Sequence, residues 1–180
     1  MRQLLTGIIL LLVPLLDLQA QDNTLKAAAS IVPESTHHFL SKYEGTWTVE
    51  VNEWSAPDAE PEKYTLTAVF NMTLSNHFLQ WSQTGVAPGG PLEEWASLGY
   101  DDRSGQFALV WLSSAGPQTE TVEGPWIEAG RSILLTPACS QATGHQRALT
   151  FTDKDNLLLE QYTQGKEGPY KSREYHYSRQ

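Results

Sequence analysis

Cysteine is almost missing: Cys139 is the only one. An intrachain disulfide is thereby excluded, and so is a cysteine-based metal cluster. Neither a helix start nor a nearby cation would activate this thiol, so it reads as a small buried hydrophobe. Basic residues are also scarce, with 12 Lys and Arg against 21 Asp and Glu, a formal net charge of -9. That balance disfavours nucleic acid and anionic membrane surfaces as partners. The short catalytic signatures are absent: no Gly-x-Ser-x-Gly, no phosphate loop and no His-Glu-x-x-His. His37, His38, His77, His145 and His176 do not recur at metal-ligand spacing on a common face. No metal and no cofactor are expected.

Long apolar runs are confined to the N-terminus. Arg2 precedes a run from Leu4 to Leu16, and Leu18-Gln19-Ala20 offers a small residue before a cut. The run falls short of the ~20 residues that span a bilayer. Residues 1–20 are therefore expected to be a secretory signal peptide, and the mature protein to be secreted or periplasmic with no membrane association. Cleavage would remove Arg2 and Asp17 together and leave the net charge unchanged. Residues 21–34 are small and polar without period, a flexible linker, and 35–180 form one domain able to bury a sizeable core.

What is present is mostly strand. Ser35 suits a helix N-cap, and a helix of one or two turns should end at Gly45. After it, Trp47, Val49 and Val51 alternate with polar residues, the mark of a half-buried strand. Residues 64–74 repeat the pattern, with Leu66, Ala68, Phe70, Met72 and Leu74 on one face. Further strands are expected over 77–84, 93–100, 106–113, 119–123, 131–136, 146–152, 156–163 and 170–179, ten in all. The connections alternate in length. Ser75-Asn76, 101–105, 124–130 and 153–155 are short, whereas 55–63, 85–92, 114–118, 138–145 and 164–169 are mostly longer and rich in Pro and Gly. A ten-stranded antiparallel up-and-down barrel with a tight floor and an open mouth follows. The helix plugs the floor, and closure pairs the last strand with the first, bringing Arg179, or failing that Arg173, to Trp47.

The Gly45-x-Trp47 strand, with His38 and Leu40 before it, Gly99-Tyr100-Asp101 followed by Gly105, Trp111, Glu160-x-Tyr162 and the Arg173-Glu174-x-x-Tyr177-x-Arg179 ending together resemble the lipocalin-like (calycin) pattern. More narrowly they resemble a bacterial family of lipocalin-like domains of unknown function. The resemblance implies an antiparallel barrel with an internal cavity and gives Gly45, Trp47 and Arg179 structural roles. It supplies no agreed activity. Related haem-binding barrels carry a second glycine where this chain has Val49, which argues against haem.

Six tryptophans are many for this length, and some are expected to line the cavity. Trp81, Trp95, Tyr100, Trp111, Arg147, Glu160, Tyr162, Arg173 and Tyr175 are the candidate ligand-binding residues. An aromatic pocket with a few polar groups suits a small, largely apolar molecule. An inward Arg–Glu pair would instead mark a carboxylate or hydrogen-bonding head-group site. Asp58, Glu60, Glu62, Glu93 and Glu94, expected on the mouth loops, favour entry of a neutral or cationic ligand. Two other classes stay open: a barrel isomerase or hydrolase using Glu160 or His176 as general base, and a partner-binding module, with a homodimer allowed.

Overall fold

The computed structural model describes residues 35–137 and 145–180. The expected signal peptide and linker (1–34) and Cys139 lie outside these residues.

Alternation sets the strands. Those expected by pattern appear as β1 (Gly45–Glu53), β2 (Glu62–Thr73), β3 (Phe78–Ala87), β4 (Gly90–Asp101), β5 (Gln106–Ser113) and β6 (Gly116–Gly124). They continue as β7 (Trp126–Glu128), β8 (Ser132–Pro137), β9 (Gln146–Asp153), β10 (Asn156–Gln164) and β11 (Pro169–Arg179). Consecutive strands other than β6 and β7 pair antiparallel, β1 pairs with β11, and β6 pairs with β8, so the sheet closes on itself. The single helix among the described residues, α1 (Thr36–Ser41), begins as expected at Ser35, whose hydroxyl accepts from the His38 amide at 3.2 Å.

β7 revises one expected loop. Its residues keep the register of β6 along β8: Val122 faces Pro137, Glu123 faces Thr136, and Trp126 faces Ile133. β6 and β7 are thus one interrupted strand, and the barrel has ten strands around its circumference. Pro125, without an N–H to donate, makes the gap. Gly124 permits the approach there: a Cβ on it would stand 1.9 Å from the Leu134 carbonyl oxygen. The mouth is also tighter than the Pro- and Gly-rich text suggests. β3 and β4 are joined by Pro88-Gly89 alone, and β5 and β6 by Ser114-Ala115.

Rings fill the lower barrel. Phe70 stacks on Trp81 at 4.9 Å, and Trp81 meets Trp111 edge-on at 5.9 Å. Phe39 of the plug helix packs against Phe151 at 4.9 Å and Trp126 at 5.5 Å. Leu40 is fully buried beneath them. The Trp47 indole donates to the Tyr43 carbonyl at 3.2 Å, which fixes the chain as it leaves the helix. Burying such rings is worth roughly 1.5–3 kcal/mol each, so this aromatic stack is the main stabilising body of the fold.

Candidate functional site

Inward alternation carries polar residues as well as rings, and these gather toward the mouth. On β3, Leu79 and Trp81 are followed on the same face by Gln83; on β4, Leu92, Ala96 and Leu98 share their face with Glu94. β11 contributes Arg173, Tyr175 and Tyr177 to the interior, and β9 contributes Arg147.

Two hydrogen-bonded groups result. In the first, Tyr177 donates to the Gln83 carbonyl at 2.9 Å, and the Gln83 amide donates to Glu94 at 2.6 Å. Tyr175 donates to Glu94 at 3.2 Å, and Arg173 donates to it at 3.3 Å. Arg173 also pairs with Glu53, which accepts from Tyr64 at 2.8 Å. Glu94 is 1 % exposed, so these donors replace the water it has lost. Burial and the charge of Glu94 push Tyr175 and Tyr177 well above the ordinary phenol range, which keeps both as proton donors.

The second group is Arg147, Glu120 and His145. The Arg147 guanidinium lies over Trp111 with Cζ 4.3 Å from the ring centroid. Its Nη2 donates to Glu120 at 2.6 Å, and the other Glu120 oxygen stands 2.6 Å from His145 Nδ1. Burial alone would raise the Glu120 carboxyl. The hydrogen bond to His145 and the charge and hydrogen bond of Arg147 outweigh it and bring it down to about 2.

Between the groups, at the open end, is a pocket of about 290 Å3. Glu53, Glu94, Glu120, Arg147, Arg173 and Gln161 line it with Ser113, Thr163 and Ser172, and Trp54 and Trp111 supply its rings. The lining is mainly polar, where an aromatic cavity was expected, because most of the rings interlock below and leave the mouth to the ends of the strands.

Three of the nine candidate ligand residues line this pocket: Trp111, Arg147 and Arg173. Tyr175 joins it through Glu94. Trp81 and Tyr100 point inward but belong to the packed floor, Tyr100 against Phe107 at 4.7 Å. The other three need correction. Trp95 alternates out of phase with Glu94 and Ala96 and lies outside, beside Ser82 and Leu112. Glu160 lies between the inward Leu159 and Gln161, and pairs outside with Lys171 at 3.2 Å. Tyr162, in phase with Glu160, pairs with Lys171 on that outer side. His176 is also outside, bonded to Glu174. The general-base reading of Glu160 or His176 therefore loses its geometry. Glu94 is corrected in the other sense, from a mouth-loop charge to a buried side chain within the barrel.

Gln83, Glu94, Glu120 and Gln161 were not among the sequence candidates. Phase could have found Glu94, since Leu92-x-Glu94-x-Ala96-x-Leu98 is one face. Glu120 had no such signal, because Val122 is the only large apolar residue on its face of β6.

A closed ten-stranded antiparallel barrel with one short helix is the architecture of a lipocalin-like barrel. The chain belongs to the family described as Protein of unknown function (DUF1579), whose model matches residues 32–179. Two solved structures share the fold. Rv2717c from M. tuberculosis is 21% identical with a TM-score of 0.60, covering 81% of this chain and 98% of its own. The S-type phycobiliprotein lyase CPES from Guillardia theta is 14% identical with a TM-score of 0.57, covering 82% and 94%. No curated protein matches significantly.

Proposed function

We propose that this chain is an exported, non-catalytic binding protein that holds one small molecule at the barrel mouth, polar group inward. The observation that carries the reading is the division of the interior: interlocked rings below, and a polar, partly enclosed pocket above them. At about 290 Å3 it stands at the low end of ligand pockets, which run to roughly 1,000 Å3. That is room for a ring and a head group. The ligand's apolar portion rests on the half-buried Trp54 at the rim, so the expected apolar character is confined to one part of it. The phycobiliprotein lyase supports the reading only as a barrel of the same shape. Export rests on the apolar run and small-residue cut before Gln21.

Native mass spectrometry of the protein purified from its own host tests both parts. The expected result is a chain beginning at Gln21 that carries one small organic molecule. A bare chain, together with no shift of the Trp111 or Trp54 side-chain NMR signals across a fragment library, would overturn the pocket reading. An intact N-terminus would overturn export.

A further inference from the structure

Unused hydrogen-bonding capacity in the pocket is one-sided. Glu94 accepts from Gln83, Tyr175 and Arg173. Glu53 is held by Arg173 and Tyr64, and Glu120 by Arg147 and His145. Every lining carboxylate is therefore already engaged. The cations are not. Among the described residues Arg147, 1 % exposed, has no partner for Nε or Nη1, and Arg173 has none for Nε. A guanidinium carries five N–H donors and accepts nothing, so what is missing at these atoms is an acceptor. Leaving buried donors of a charged group unmet is costly, because their lost hydration is not replaced.

We infer that the pocket's ligand carries an oxyanion, a carboxylate or its equivalent, that is taken by Arg147 with Arg173 behind it. This rests on the binding reading above and names the chemistry of its head group. A neutral carbonyl could reach one donor. A planar oxyanion meets several at once, and its charge is matched to a fork of N–H groups. An ammonium head would bring more donors to a site already short of acceptors. Trp111, beneath Arg147, holds the guanidinium flat in the pocket lining.

Glu120 is the internal competitor. It holds Nη2 of Arg147 and stays ionised through the whole neutral range, so it both occupies a donor and repels an entering anion. Removing its charge should tighten oxyanion binding, the opposite of what loss of a ligand contact would do.

The test uses three probes of one shape, 2-naphthoate, 2-naphthamide and 2-naphthylmethylammonium, titrated by calorimetry at pH 7. The expected order is naphthoate first, at least about tenfold tighter than the amide, with the ammonium weakest. Glu120→Gln should tighten naphthoate at least about threefold and leave the amide nearly unchanged. Arg147→Met should abolish the preference for the anion. Amide or ammonium binding as well as naphthoate would overturn the oxyanion assignment while leaving the pocket reading standing. No binding of any probe, with no signal shift at Trp111, would count against the pocket itself. Should Arg147→Met fail to fold, Glu120→Gln decides alone: unchanged or weaker naphthoate binding overturns the inference.

Discussion

Arg179 lies over the indole of Trp47, its guanidinium carbon 4.4 Å from the ring centroid, where the last strand meets the first. The same guanidinium donates to the carbonyls of Lys42 and Glu44, to that of Lys154, and to the Asp155 carboxylate. One side chain thus ties together the chain leaving the plug helix, the first strand, the last strand and the β9–β10 turn. Gly45 completes the arrangement: its φ is +136°, and a Cβ there would stand 2.8 Å from Arg179 Nη1.

Arg179→Ala should therefore cost more than a surface arginine does. The cation–π contact is worth ~0.5–2 kcal/mol and each charged hydrogen bond ~1.5–3, partly offset by water, so a loss of about 3 kcal/mol is expected. Arg179→Lys keeps the charge without the fork and should lose about half of that. Urea unfolding measures both. An Arg179→Lys variant as stable as the wild type would show that charge, not geometry, holds the floor.

Acid should act on the mouth through Glu120. Its folded value is about 2 against 4.5 for an ordinary glutamate. A depressed carboxylate contributes stability that is fully present above 4.5 and lost as pH falls toward 2. The stability advantage of the wild type over Glu120→Gln should accordingly shrink between pH 6 and pH 2.5. The check is the urea midpoint of each at both pH values. A gap that stays constant would mean that the Arg147–Glu120–His145 group does not form in solution.

Alkali should act on the interior through its phenols. Burial and the charge of Asp153 push Tyr43 up to about 12, and Tyr64, Tyr175 and Tyr177 are raised as well. A raised folded value means stability that is whole below pH 10 and falls as pH rises toward and past 12. Absorbance at the tyrosinate band should show only part of the seven tyrosines ionising near pH 10. The rest should appear together with loss of the near-ultraviolet circular dichroism. Smooth ionisation of all seven in the folded state would contradict the buried ladder.

Much of the barrel was legible because alternation is a local property. Leu66, Ala68 and Phe70 declare their face without help from any neighbour, and the Asp101–Gly105 turn declares its hairpin. The β6–β7 strand was not legible, because Gly124-Pro125 has the letters of a loop, and its continuity shows only in the register that both pieces keep along β8. For the same reason Pro88-Gly89 read as part of a wide mouth. At the site, residue types were easier to read than directions. Arg147, Arg173 and Trp111 stood out by type, and the structure places them at the pocket. Glu160 and Tyr162 stood out equally but face outward, because strand phase decides where a side chain goes and both alternate with the inward Leu159 and Gln161.

The seam of the barrel gives the sharpest mechanical prediction. At Gly124 the sixth strand passes so close to the eighth that a methyl group would stand 1.9 Å from the Leu134 oxygen and 2.9 Å from its carbon. No side chain can rotate away from such a contact, since both partners are backbone, so the strands themselves must part. Gly124→Ala should then cost at least about 3 kcal/mol, in the range reached only when packing is broken. Gly116, at the other end of the same strand, has nothing within 4 Å of the corresponding position. Gly116→Ala should stay within about 0.5 kcal/mol of the wild type. Unfolding free energies compare the two, and hydrogen exchange at the Leu134 and Leu135 amides reports whether the seam has opened. Equal effects of the two substitutions would mean that β6 and β8 do not pass this closely, and that the barrel closes by some other contact.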